Sequence, residues 1–126
     1  MQLSFLLAVG IGGFIGAMLR FAISIWIQKL FPFMFPMGTL IVNVAGSFII
    51  GFMTLYFESV ASYHQKALVI TGVLGAFTTF STFSIETVTM LQESLYSKAF
   101  VNITLNVFLC IVATIIGMLL FKRIYG

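Results

Sequence analysis

The segment from Gly75 to Ser84, GAFTTFSTFS, carries the residues best suited to chemistry in this chain. Phenylalanines recur in it at three-residue spacing, and hydroxyl side chains fill the positions between them. A hydroxyl donates and accepts hydrogen bonds, and the edge of an aromatic ring carries positive potential. This combination indicates a lined path for something small and charged, and ring edges turned toward the path would favour an anion.

Polar residues also occur at helical spacing in two other apolar stretches. Asn43 and Ser47 lie four residues apart, so a helix places them on one face. The amide of Asn43 is as well suited to bonding another helix as to lining a pathway, and its neighbours in the sequence do not decide between the two. Three stretches with matching polar faces indicate a shared route; in the last stretch the polar residues are Asn102, Asn106, Cys110 and Thr114.

Two charged residues fall within or at the end of an apolar stretch. Arg20 is either an interfacial anchor that snorkels to the membrane surface or a positive charge at a watery vestibule that concentrates anions. Glu86 is either a proton-binding group or a hydrogen-bond anchor, and the sequence alone does not choose.

The composition indicates a bilayer protein. Hydrophobic residues make up 61% of the 126 residues and charged residues 7%, and the mean hydropathy is +1.19. Soluble domains carry roughly a quarter charged residues, so membrane lipid is the expected surroundings. The net charge of +3 comes from scattered basic residues, which argues against a nucleic-acid partner. The single histidine, His64, has neither a second histidine nor a thiol nearby, so we do not expect this protein to be an enzyme.

Four apolar stretches are long enough to cross a membrane, which takes about 20 residues. They predict an all-α, multi-pass protein of the cell (inner) membrane, with one integral domain over residues 1–126. Glycines and hydroxyl residues predict a break in the third span between about Gly75 and Thr79, because broken backbone at membrane depth must line water or lie buried in protein. The spans are residues 3–27, 38–57, 67–91 and 99–121.

Two further patterns concern assembly. Gly12 and Gly16 have the GxxxG spacing that allows helix backbones to approach closely. The basic residues that orient membrane proteins are nearly balanced between the two sides, which predicts insertion in both orientations and antiparallel pairing. Lys66, Lys122 and Arg123 would share the side of the N-terminus, while Lys29 and Lys98, with Arg20 near a span end, would lie opposite.

Three segments, GGFIGAMLRF (residues 12–21), GTLIVNVAGSFIIG (38–51) and GVLGAFTTFSTFSIE (72–86), resemble the Fluc (CrcB) fluoride channel family. The length and the four-span layout are also similar. Two departures are Ala76, where many members have glycine, and Cys110, where a serine is common.

The resemblance implies an antiparallel, dual-topology homodimer with two pores that passively exports fluoride. By position, Phe80 and Phe83 would line the pores and Asn43 would be the pore-facing amide. Gly75 and Thr78 would lend main-chain carbonyls to a structural Na⁺ ion at the dimer interface. The remaining implied positions are Arg20 toward the vestibule, and Ser81, Thr82, Ser84 and Asn106 in a polar track.

Two rival classes stay open. A small multidrug-type, proton-coupled exporter also has four spans and dual topology, but it depends on a carboxylate in the first span. Here the only charge in that span is Arg20, so Glu86 would have to take the role. A non-transporting assembly subunit would use the glycine faces but leave the polar residues unexplained.

Overall fold

The computed structural model describes residues 2–32, 35–60 and 62–126. All regular structure in these residues is helical, and four helical runs are long and apolar enough to cross a membrane. Helices α1 (Leu3–Leu30) and α2 (Met37–Ser59) are the first two runs, and α6 (Tyr96–Tyr125) is the fourth. The predicted all-helical membrane class is therefore confirmed for the described residues.

The third run, Tyr63–Gln92, is composite. It consists of α3 (Tyr63–Lys66), a π-helical segment (Ala67–Leu74), α4 (Gly75–Phe77) and α5 (Phe80–Gln92). Between α4 and α5, Thr78 (φ −86°, ψ 156°) and Thr79 (φ −148°, ψ 116°) have extended backbone, and this pair is named the Thr78–Thr79 link below. Because the link interrupts the helix, it changes which backbone groups need partners.

Close packing of α1 on the π-helical segment fixes the position of the third run. Gly12 and Gly16 are buried, and a Cβ on either would collide with a backbone carbonyl oxygen, that of Leu68 or of Val73. A Cβ on Gly13 would meet open space. The predicted close interface is confirmed, and it uses the Gly12 and Gly16 face.

The runs alternate in direction. Ser4 Oγ and His64 Nε2 lie 3.0 Å apart, so α1 and the third run begin on the same side. The rings of Tyr56 and Tyr125 are 6.5 Å apart, so α2 and α6 end together on that side. Parallel packing of α2 and α6 depends on a close approach at Gly51, where a Cβ would collide with the carbonyl of Thr114.

The turn after α5 brings α6 back against it. Leu95 N–H donates to the Met90 carbonyl at 2.8 Å and Ser94 N–H to the Leu91 carbonyl at 3.1 Å, a pair of bonds that closes helix C-termini. Ser94 occupies the left-handed position, with φ 60°. The reversal places Thr87 of α5 beside Asn102 of α6.

Candidate functional site

A cavity of about 290 Å³ opens where α2, the Thr78–Thr79 link, α5 and α6 meet. Four residues predicted to line the anion path, Asn43, Phe80, Phe83 and Asn106, surround it together. The rest of its wall consists of Ser47, Thr78, Thr79, Val107, Cys110 and Ile111. Amide, hydroxyl and thiol donors therefore share one cavity with two aromatic rings.

The two phenylalanine rings meet edge to face. The ring centroids of Phe80 and Phe83 are 5.3 Å apart, with an interplanar angle of 67°. Phe83 is buried, at 7% exposure, whereas Phe80 is 76% exposed. In such a contact the positive edge of one ring points at the negative face of the other, so the pair holds the exposed Phe80 ring against the buried Phe83 ring.

Asn43 holds both backbone groups of Thr79. Thr79 N–H donates to Asn43 Oδ1 at 2.7 Å, and Asn43 Nδ2 donates to the Thr79 carbonyl at 3.1 Å. The second N–H of the Asn43 amide donates to Asn106 Oδ1 at 3.1 Å. The side chain thus supplies the partners that an unbroken helix would supply, and buried backbone groups need such partners.

The Thr78–Thr79 link redirects two backbone donors away from their usual acceptors. In an unbroken helix, Thr79 N–H would bond the Gly75 carbonyl and Thr82 N–H the Thr78 carbonyl. Here Thr79 N–H bonds Asn43, and Thr82 N–H donates to Thr79 Oγ1 at 3.2 Å. Thr79 is the N-cap of α5, a position that favours threonine. The carbonyls of Gly75 and Thr78 are therefore released from these helical donors.

The closeness of α2 to the link depends on Gly46. A Cβ at this position would collide with Thr78 Cγ2 and would lie 3.1 Å from Cδ2 of the buried Phe77 ring. A larger residue would push α2 away and pull Asn43 off Thr79.

Arg20 lies apart from the cavity wall. Its Nε donates to the carbonyl of Ala76 at 3.0 Å, one residue before the end of α4. The guanidinium therefore holds a carbonyl two residues before Thr78 of the link. Its remaining N–H groups provide further donors, since a guanidinium carries five.

Glu86 lines a second cavity, of about 280 Å³, at the far end of α5. Thr39 Oγ1 donates to Glu86 Oε2 at 3.1 Å. Among the residues that the structure describes, Glu86 Oε1 is buried and has no hydrogen-bond partner. The wall of this cavity consists of Pro36, Ile85, Glu86, Thr89, Met90, Glu93 and Leu95.

The other predicted site residues fall outside the first cavity's wall. Ser81 is exposed, and Thr82 accepts a hydrogen bond from Thr79 Oγ1 at 3.0 Å. Ser84 is half-buried, and Gly75 is exposed on the surface of the third run. The structure therefore gathers the amides and rings, and leaves these hydroxyls on neighbouring surfaces of α5.

Two structural features were missed by sequence reasoning. The π-helical segment Ala67–Leu74 carries no signal in its apolar composition that distinguishes it from an α-helix. The second is Thr87, which is buried and bonds Asn102. The sequence contains a hydroxyl at Thr87 and polar residues in the last span, and these were the available signals. Only the turn at Ser94 shows that Thr87 and Asn102 meet.

Comparison with known proteins agrees with the resemblance carried by the three segments. The family described as CrcB-like protein, Camphor Resistance (CrcB), matches residues 7–118. A relative from a Sulfurovum species, named fluoride-specific ion channel FluC, is 71% identical over the whole of both chains. A relative of the same name from a Nitratiruptor species is 56% identical over all of this chain and 98% of its own. This chain belongs to the CrcB family.

Proposed function

We propose that this chain forms a fluoride-selective channel that lets fluoride leave the cell passively and so prevents its toxic accumulation. The observation that carries the proposal is the gathering of Asn43, Phe80, Phe83 and Asn106 around one cavity at the Thr78–Thr79 link. The names of the relatives with 71% and 56% identity point the same way.

The chemistry of the cavity suits this ion. A selective pore must replace an ion's water with protein groups without holding the ion too tightly. The amide N–H groups of Asn43, the thiol of Cys110 and the ring edges of Phe80 and Phe83 are weak or neutral donors. No lysine or arginine lines the cavity among the described residues, so fluoride would pass without a fixed cation to trap it.

A second copy of the chain completes the path in this proposal. Phe80 is 76% exposed, and Gly75 and Ser81 beside it are exposed as well. Polar backbone and hydroxyls facing lipid are costly, so this surface of the third run needs a cover. An antiparallel homodimer would cover it in both copies and form two pores, with the third span of each broken at the link.

The released carbonyls fit a structural Na⁺ ion between the two copies. Unwound backbone carbonyls coordinate Na⁺ in other membrane proteins, and the carbonyls of Gly75 and Thr78 have lost their usual donors. No cluster of three His, Cys, Asp or Glu side chains competes for a metal in residues 2–32, 35–60 and 62–126. A bound Na⁺ would supply positive charge near the anion path.

Other predicted residues take supporting roles. Arg20, fixed by one bond to Ala76, would direct its remaining donors toward an aqueous vestibule. Ser81, Thr82 and Ser84 would form a polar track along α5. Glu86, which accepts a hydrogen bond from Thr39, lies midway along α5 and would act as a polar or regulatory group.

The test is efflux from liposomes that contain the purified protein, measured with a fluoride electrode and compared with chloride. We expect fluoride efflux that exceeds chloride efflux and does not require a proton gradient. Reconstitution in buffers where a large organic cation replaces Na⁺ should reduce both efflux and dimer content.

Each contrary outcome overturns a different part. Equal chloride and fluoride fluxes would overturn the selectivity, and efflux that stops without a proton gradient would favour the exporter class. Absence of any flux in the wild-type protein would overturn the channel itself. Full efflux and dimer content without Na⁺ would remove the ion from the proposal.

A further inference from the structure

A chain of hydrogen bonds leaves the Thr78–Thr79 link through Asn43. Because Thr79 N–H is only a donor, it fixes Oδ1 of Asn43 toward itself, and Nδ2 must face Asn106 Oδ1. Asn106 then turns its own NH₂ group away from the cavity. That group donates to Asn102, to the backbone carbonyl at 2.9 Å and to Oδ1 at 3.0 Å.

The series of hydrogen bonds continues from α6 into α5. Asn102 Nδ2 donates to Thr87 Oγ1 at 2.9 Å, and Thr87 Oγ1 donates to the carbonyl of Phe83 at 2.8 Å. Asn102 is 1% exposed and Thr87 is 6% exposed. Neither residue lines the first cavity. The set Asn43, Asn106, Asn102 and Thr87 is named the amide relay.

Five successive hydrogen bonds of the amide relay point the same way, from the N–H of Thr79 to the carbonyl of Phe83. Hydrogen bonds aligned in this way polarise one another. A buried donor or acceptor left without its partner costs more than an ordinary hydrogen bond gains. Removal of Asn102 or Thr87 therefore disturbs Asn106, and with it the hydrogen bond that Asn106 Oδ1 accepts from Asn43.

We propose that Asn102 and Thr87 are positioning residues for ion conduction, which act by fixing the orientation of Asn106, the residue whose Oδ1 accepts a hydrogen bond from Asn43. This inference rests on the proposed channel function. Both N–H groups of Asn43 are already engaged, with Thr79 and Asn106. An ion at Asn43 must share a donor with Asn106 Oδ1, and Asn102 sets how firmly that oxygen is held.

The experiment measures single-channel fluoride current and the fluoride-to-chloride ratio in Thr87→Val and Asn102→Leu. Unit current is counted per channel, so it does not depend on how much protein folds. We expect it to fall on the order of tenfold, with a lower fluoride-to-chloride ratio. Thr87→Ser, which keeps the hydroxyl, should restore both.

Thr104→Val is the matched control. Thr104 Oγ1 donates to the carbonyl four residues earlier, that of Phe100, at 2.9 Å, as Thr87 does to Phe83, but it lies outside the amide relay. Its unit current should equal that of the wild type.

A double variant, Asn102→Leu with Thr87→Val, removes both partners and so leaves no orphaned group between them, which favours folding. A reduced unit current in this variant supports the relay. Wild-type current and selectivity in the double variant and in Thr87→Val would overturn it, because the residues would then only join α5 to α6. Wild-type protein without current would instead overturn the channel proposal.

Discussion

At the scale of single residues, Asn43 both holds the backbone of the Thr78–Thr79 link and lines the first cavity. Its amide bonds the N–H and the carbonyl of Thr79, and it also faces the cavity. Its residue type left Asn43 between bonding another helix and lining a pathway, and the family resemblance implied a pore-facing amide. The sequence could not predict the bond to Thr79, because that contact joins residues 36 positions apart and depends on how closely α2 approaches the link.

Asn43→Asp should sharply reduce fluoride efflux from loaded liposomes while dimers still form. The carboxylate offers no donor, so two acceptors, the Thr79 carbonyl and Asn106 Oδ1, lose their partner. We expect a loss of about tenfold or more, since a charged or orphaned group is costly at a buried site.

Phe80→Ile should have a comparable effect, because it removes the ring edge from the cavity and the edge-to-face contact with Phe83. Phe108→Ile is the control; Phe108 is a 64% exposed ring on α6 that does not line the cavity. Unchanged efflux in both Asn43→Asp and Phe80→Ile would remove these residues from the mechanism.

At the scale of elements, the third run is held in place by backbone contact with α1. The glycine spacing predicted this interface correctly, because residues four positions apart lie on the same face of a helix. The π-helical segment Ala67–Leu74 on the other side of the same interface could not be predicted. The bond from Arg20 to Ala76 could not be predicted either, because it joins residues 56 positions apart. The sequence alone did not decide whether Arg20 is an interfacial anchor or a charge at a vestibule.

Gly12→Ala and Gly13→Ala provide a matched pair for this interface. A Cβ at Gly12 collides with the Leu68 carbonyl, whereas a Cβ at Gly13 meets nothing within 4 Å. We expect Gly12→Ala to lower the free energy of unfolding by about 1–3 kcal/mol, typical of overpacking, and Gly13→Ala to leave it nearly unchanged. Thermal unfolding in detergent, followed by tryptophan fluorescence, measures both; equal stabilities would contradict this interface.

At the scale of the whole molecule, the chain is a multi-pass protein of the cell membrane, with four helical runs that alternate in direction. The contacts of Ser4 with His64 and of Tyr56 with Tyr125 place the chain's two ends on one side. Lys66, Lys122 and Arg123 therefore lie on that side and Lys29 and Lys98 on the other, as the sequence predicted. So small a difference in basic residues is the basis for proposing insertion in both orientations.

Reporter fusions after Gly126 test this proposal. We expect activity both from a reporter that works only in the cytoplasm and from one that works only outside it. Lys29→Gln with Lys98→Gln should shift the C-terminus to the cytoplasm, because the basic residues of the other side then dominate. A single orientation in the unmodified chain would contradict dual topology.

The two hydrogen bonds between the Asn43 side chain and the backbone of Thr79 have a consequence for how such a protein can change by recombination. The third run does not contain all the partners of its own backbone, since Thr79 depends on a side chain of α2 that Asn106 of α6 in turn supports. A chimera that imports the third run without matching residues at positions 43 and 106 would orphan main-chain groups at membrane depth. The third run is therefore not an exchangeable module, and these three runs must be inherited together.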